Sequence, residues 1–272
     1  MVSEPRSQHP MTDDAALPAT AALPTSGARA GGAASSPPQG TDRGGAAVPE
    51  QRSGADSDRA GTVPVVGVLA LQGGVVEHMR AVESLGARAV KVRAAEDLVD
   101  AAGHPRIDAL ILPGGESSTV DRLCRTFGLF EPLQEAIRGG LPTLGTCAGL
   151  IMLSSGIEDP APGQQSLGVL DVSVSRNAFG SQVASAEVDL PWLGPPSDVV
   201  TPGGHLRAAF IRAPEVTRCG EGVEVLAKHG DAVVAVRQGN ILGISFHPEL
   251  MGDTTLHRLL LQDAARHPAQ HG

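Results

Sequence analysis

The chain is ordered around Leu141-Pro-Thr-Leu-Gly-Thr-Cys-Ala-Gly-Leu-Ile-Met-Leu153. Leu141 to Leu144 is a short apolar run of the kind that ends a buried strand, and Ala148 to Leu153 is a longer one that opens a helix. Between them, Gly145-Thr-Cys-Ala-Gly149 sets a cysteine between two glycines, the cysteine form of the G-x-S-x-G nucleophile elbow. A side chain raised on so sharp a turn needs space beside it, and the backbone there favours angles that glycine tolerates. The positive end of the helix dipole would also lower the thiol pKa. A free cysteine is commonly no more than a small buried hydrophobe. The paired glycines and the strand-to-helix setting make Cys147 a candidate nucleophile instead.

Upstream, Val65 to Leu71 is a near-continuous apolar run of strand length, the pattern of a parallel strand buried on both faces. Gln72-Gly-Gly74 turns the chain, and Val75, Met79 and Val82 recur at helical spacing up to Gly86. The pattern predicts a strand at Ala89 to Val92, a short helix at Glu96 to Ala102 and a strand at Ile107 to Leu112. Helices are predicted at Ser117 to Phe127 and Pro132 to Arg138. Alternating strands and helices of these lengths make a parallel α/β sheet with right-handed crossovers. Downstream the texture changes. Val169 to Val174, Val183 to Val188, Ala208 to Ile211, Val223 to Ala227, Ala232 to Val236 and Ile241 to Phe246 read as the antiparallel extension of a mixed sheet. Pro191 to Gly204 reads as a surface loop, and Asp253 as the cap of a last helix that buries Leu256, Leu259 and Leu260.

Composition excludes several classes of function. One Trp, five Phe and no Tyr leave little for stacking on bases, and a net charge of −9 argues against a nucleic-acid partner. No apolar run approaches the roughly 20 residues of a membrane helix. Three cysteines without close pairing suit a reducing cytosol. His205, His229 and His257 have no ligand-like spacing with acids or cysteines, so no metal site is expected. No cofactor is expected either. Residues 1–62 are Ala, Gly, Pro and Ser with scattered charges and read as a disordered tail, leaving 63–272 as the functional domain.

A thiolate nucleophile works with a base that a third group orients. Ser245-Phe-His-Pro-Glu-Leu250 follows the last strand, and in an extended segment His247 and Glu249 project to the same side. Glu249 could then accept the Nδ1 proton of His247 and leave Nε2 facing the sulfur. Pro113-Gly-Gly-Glu-Ser-Ser-Thr119 sits at another strand end, the edge where α/β sheets gather ligands. Its glycines allow close backbone approach, Glu116 suits an ammonium group, and Ser117 suits a helix cap or a carboxylate. Arg176 and Arg212 each lie beside a strand end, as forks for a carboxylate or as ordinary surface arginines.

Taken together, Gly145 to Gly149 and His247-Pro-Glu249 resemble the triad of class I glutamine amidotransferases. Within them, the chain is similar to the glutaminase-subunit family of pyridoxal 5′-phosphate synthase. Further motifs carry that similarity: Val68 to Gly73 with Glu77-His78, Pro113 to Ser117, Arg176 to Gly180, Phe210 to Pro214, Arg237 to Asn240 and Phe246 to Leu250. It extends from Val65 to about Gln262. The Pro191 to Gly204 loop and the segment Met251 to His257 depart from the family pattern.

The resemblance implies a flavodoxin-like three-layer α/β fold with a mixed sheet and a catalytic triad of Cys147, His247 and Glu249. It implies that Gly115, Glu116, Ser117, Arg176, Ile211 and Arg212 bind L-glutamine, the first three also supplying oxyanion donors. Ammonia would pass to a separate synthase subunit in a cytoplasmic hetero-oligomer. The alternatives are a glutaminase serving another pathway and a catalytically inactive module on the same fold.

Overall fold

A computed structural model describes residues 63–101, 104–176, 186–201 and 203–267. The predicted tail at 1–62 lies outside the described residues, as do residues 177–180 of the Arg176 motif.

The elements follow in the order β1 (Val65–Leu69), α1 (Val75–Ser84), β2 (Arg88–Val92), β3 (Ala109–Leu112), α2 (Ser117–Thr126), α3 (Phe130–Arg138), β4 (Thr143–Thr146) and α4 (Ala148–Leu153). There follow β5 (Ser154–Ile157), β6 (Leu170–Ser175), β7 (Ala186–Pro191), β8 (His205–Phe210), β9 (Glu215–Cys219), β10 (Glu224–His229), β11 (Ala232–Gln238), β12 (Ile241–Ile244) and α5 (Thr255–Arg266). The main sheet has the order β2-β1-β3-β4-β12-β11-β9-β6-β5, with β10 paired to β11, and β7 and β8 form a separate antiparallel pair. The strands from β2 through β12 in that order are parallel, so the Ile241 to Phe246 run, read as part of the antiparallel extension, instead supplies a parallel strand beside β4. The antiparallel extension is built by β11, β9 and β6, of which β9 has no counterpart in the sequence reading, and β7 and β8 stand outside the main sheet.

Side-chain alternation along the strands fills two cores. Ala109 and Ile111 of β3 face one, with Val82, Phe210, Phe246, Leu256 and Leu260. Leu110 and Leu112 face the other, with Val120, Cys124, Leu133, Ile137 and Leu150. Helices α1 and α5 thus cover one face of the sheet and α2, α3 and α4 the other, the three-layer arrangement expected.

Several local readings are corrected. The short helix expected at Glu96 to Ala102 is only a 3-10 turn, Ala95–Asp97, after which Val99 forms a lone antiparallel bridge with Pro105. The segment after β7 is not simply a surface loop: Trp192 and Val200 are buried in the core, and the Trp192 indole donates to the Pro195 carbonyl at 3.0 Å. Thr254, not Asp253, is the N-cap of α5; Asp253, one residue earlier, accepts from Thr255 N–H at 2.8 Å while its other oxygen accepts from Arg207 N–H at 2.8 Å.

The elbow glycines are required by crowding rather than by dihedral angles. A Cβ at Gly145 would lie 2.5 Å from Leu153 Cδ1 and 2.7 Å from the Gly149 backbone, and one at Gly149 would overlap the Leu112 carbonyl oxygen. The obstacle at Gly149 is backbone, which a rotamer change cannot relieve. Gly149→Ala is therefore expected to destabilise the fold by about 3 kcal/mol in urea unfolding.

Candidate active site

The carboxyl ends of β1, β3, β4 and β12 converge on one cleft of ≈ 580 Å³. Gly115, Glu116, Ser117, Cys147, Arg176, Ile211, Arg212, His247 and Glu249 all line it. Cys147 follows β4 directly and takes φ 49° and ψ −102°, strained for a residue with a Cβ. The odd dihedral angle thus belongs to the cysteine, where the sequence pointed to its glycines. The Cys147 N–H donates to the Ile244 carbonyl at 2.8 Å, which ties the elbow to the strand that leads to His247. The His247 N–H donates to the Ala209 carbonyl at 2.9 Å and fixes that residue from the β8 side.

His247 Nδ1 lies 2.8 Å from Glu249 Oε1, and Cys147 and His247 line the same cleft. The link between His247 and Glu249 is not the extended one expected. Pro248 is helical, at φ −67° and ψ −30°, and Glu249 opens a 3-10 turn, Glu249–Met251. The carboxylate reaches Nδ1 because the chain folds back after Pro248. Burial alone would lower the His247 pKa; the hydrogen bonds to Cys147 and Glu249 and their negative charges outweigh it and raise it to about 10. His247 is therefore an imidazolium at neutral pH, the partner that favours a thiolate. Gly114 is required beside it, since a Cβ there would strike the imidazole ring.

Across the cleft, Glu116 rather than Ser117 caps α2. Its carboxylate accepts from Thr119 N–H at 2.7 Å, Ser118 N–H at 3.3 Å and the Ser118 hydroxyl at 2.6 Å. Desolvation raises the Glu116 pKa, but these donors prevail and hold it at about 2. Arg176 Nη2 donates to Glu116 Oε1 at 3.1 Å. Ser117 Oγ is buried and accepts from Gln164 Nε2 at 3.0 Å. Arg212 adopts φ 45°, a second strained residue in the cleft wall.

Sequence reasoning passed over several contributors. Gln72 accepts from Glu116 N–H at 2.8 Å and so fixes the Gly115–Glu116 turn against β1. Gln164, from a loop with no motif, reaches Ser117. Behind the triad lie two fully buried histidines, His78 of α1 and His257 of α5, 2.9 Å apart. His78 was in view as part of the Glu77-His78 motif and on the apolar stripe of α1 with Val82, but it was given no role and nothing linked it to His257.

These two histidines give a pH dependence. Burial, with the positive charge of neighbouring histidines, keeps the His78 pKa well below its ordinary value, and burial lowers that of His257 to about 4 despite Asp253. In the window between 4 and 6.5 the unfolded chain binds protons that the folded chain does not, so stability falls as pH falls. His257 alone is expected to cost about 3 kcal/mol across that window. Urea unfolding at pH 7 and pH 4.5 checks this, and His257→Gln should flatten the slope.

Residues 68–265 match the SNO glutamine amidotransferase family. The chain is 52% identical over 199 residues to "Pyridoxal 5'-phosphate synthase subunit PdxT" of Acidothermus cellulolyticus, covering 71% of this chain and 90% of that protein. It is 51% identical over 220 residues to the protein of the same name from Clavibacter michiganensis subsp. michiganensis, covering 79% and 99%. Among solved structures, a crystal structure of a glutamine amidotransferase superposes with TM-score 0.64 at 47% identity, covering 74% of this chain and 98% of that one. PurLQS from Thermotoga maritima shares the fold alone, at TM-score 0.56 and 18% identity over 76% of this chain and 99% of that one. With a family match over most of its length and about half identity to such relatives over the aligned region, the chain belongs to the SNO glutamine amidotransferase family.

Proposed function

We propose that this chain is the glutamine-hydrolysing subunit of a pyridoxal 5′-phosphate synthase. The observation that carries the reading is Cys147 on its elbow sharing one cleft with a His247 whose Nδ1 is held by Glu249, in a chain half identical over 199 residues to a synthase subunit. In this scheme the Cys147 thiolate attacks the side-chain amide carbon of L-glutamine. The tetrahedral intermediate expels ammonia, whose nitrogen takes the proton of the His247 imidazolium as the C–N bond breaks. The remaining glutamyl thioester is hydrolysed by a water from which His247 removes a proton, giving L-glutamate and free Cys147. Glu249 keeps the imidazole in one tautomer and balances its charge.

Gly115, Glu116, Ser117, Arg176, Ile211 and Arg212 form the glutamine pocket in this reading. The forked cations of Arg176 and Arg212 suit its α-carboxylate, and the ionised Glu116 suits its α-ammonium. The ammonia goes to a synthase subunit docked at the cleft, where exposed Ile211 and Leu250 offer apolar surface to cover. We assign the activity to residues 63–272 and place it in the cytoplasm, where three free cysteines stay reduced.

The test is ammonia release from glutamine with and without the synthase subunit, alongside pyridoxal 5′-phosphate formation from glutamine or from an ammonium salt. Formation from glutamine should require this chain, and formation from ammonium should not. Absence of glutamine hydrolysis in the complete complex would overturn the reading.

A further inference from the structure

We propose that His78 is a positioning residue for the triad: its Nε2–H, set between Thr146 and Glu249, holds the Glu249 carboxylate against Nδ1 of His247. The inference rests on the roles given above to Cys147, His247 and Glu249. His78 is fully buried on α1, and its ring meets both halves of the site. Nε2 lies 3.1 Å from the hydroxyl of Thr146, the residue before the nucleophile, and 3.6 Å from Glu249 Oε1. The longer distance is not a hydrogen bond. Nor is it an ion pair, because burial and the neighbouring His257 and His247 keep His78 neutral. It is a ring dipole facing a carboxylate where little water screens it.

The sign of that dipole depends on the tautomer, and the second histidine decides it. His78 Nδ1 and His257 Nε2 are 2.9 Å apart, so one carries the proton and the other accepts it. If His78 donated from Nδ1, the His257 proton would sit on His257 Nδ1, a buried atom with no hydrogen-bond partner among the described residues. His78 Nε2 would then turn a lone pair toward Glu249. If His257 donates from Nε2, its orphaned Nδ1 is only an acceptor, and the His78 proton is on Nε2, facing Thr146 and Glu249. The second arrangement strands no buried N–H and opposes no two lone pairs. Asp253, the charged group that raises the His257 pKa against burial, has its two oxygens engaged by the Thr255 and Arg207 N–H groups.

Glu249 needs such a fixture. Its side chain is buried, Oε1 is engaged by His247, and Oε2 has no hydrogen-bond partner among the described residues. One hydrogen bond, on Oε1, leaves the orientation of the carboxylate about its Cγ–Cδ bond to be set by what faces it, and the positive edge of the His78 dipole favours the orientation that keeps Oε1 on His247.

Asparagine and glutamine variants separate the two edges of the ring. The amide of His78→Asn reaches the Nδ1 position and can still bond His257, but falls short of Glu249; that of His78→Gln reaches the Nε2 position. In the full chain complexed with its synthase subunit, His78→Asn should lower kcat for glutamine hydrolysis by about 10- to 100-fold with KM unchanged. His78→Gln should stay near wild type. In the isolated full-length chain, the NMR titration of His247, near pH 10 in the wild type, should move to lower pH in His78→Asn and stay in place in His78→Gln. Equal behaviour of the two variants, or wild-type kcat and titration in His78→Asn, would overturn the proposal. A wild-type complex releasing no ammonia would instead refute the glutaminase reading, while the titration would still decide whether His78 positions Glu249.

Discussion

Cys147→Ala is expected to reduce ammonia release from glutamine at least about 10⁴-fold in the complete complex, measured as glutamate formed. No other nucleophile among the described residues of the cleft is placed to take over. Cys124 is fully buried in the core beneath α2, and burial beside Asp121 pushes its thiol up to about 12. Cys219 is exposed at the end of β9 and does not line the cleft. The Ser117 hydroxyl is near, but it is bonded to the Gln164 amide and has no histidine beside it. Stability should move in a way that identifies the strained elbow. Alanine keeps a Cβ at φ 49°, whereas glycine does not, so Cys147→Gly should be about 1 kcal/mol or more stabler than Cys147→Ala in urea unfolding. Equal stability of the two, or glutamine hydrolysis above about 1% of wild type in either, would contradict this account of the elbow.

How much of this was readable before the structure depended on the range over which each feature is determined. The parallel strands declare themselves locally, because a strand covered on both faces is apolar along its length, as β1 and β3 are. The elbow is equally local. Missed strands are those without an apolar run: β5 is Ser-Ser-Gly-Ile, and β9 has a single buried residue, Val216. The helix cap was misplaced by one residue because serine is the commoner cap, whereas the longer Glu116 side chain folds back onto Ser118 and Thr119. The meeting of Cys147 with His247 was inferred from two strand-end motifs; its cause, the parallel pairing of β12 beside β4 with Ile244 opposite Thr146, is visible only in the sheet. His78 and His257, 179 positions apart, stayed invisible as a pair because nothing in either helix specifies the other.

Glu249→Gln should lower kcat by roughly 10²- to 10⁴-fold with glutamine binding retained, because it keeps the shape of the triad and removes its charge. Two amide orientations are available. With the amide nitrogen toward His247 Nδ1, the imidazole would be forced to carry its proton on the sulfur side. His78 Nε2, 3.6 Å from the Oε1 position, disfavours that orientation. With the oxygen toward Nδ1, the tautomer survives, but the amide nitrogen occupies the Oε2 position, a buried site without a hydrogen-bond partner among the described residues. An unsatisfied buried donor there should cost about 1–3 kcal/mol of stability. Loss of the carboxylate also removes one of the influences that raise the His247 pKa to about 10, so the imidazolium persists to a lower pH than in the wild type. Since the departing ammonia takes its proton from that imidazolium, the alkaline limb of the kcat profile should move toward neutrality. Glu249→Asp retains the charge but withdraws it by one methylene from a distance that is now 2.8 Å, so it should fall between the wild type and Glu249→Gln in both rate and limb position. A Glu249→Gln enzyme with a reduced rate but an unmoved alkaline limb would mean that His247 is held protonated by Cys147 alone.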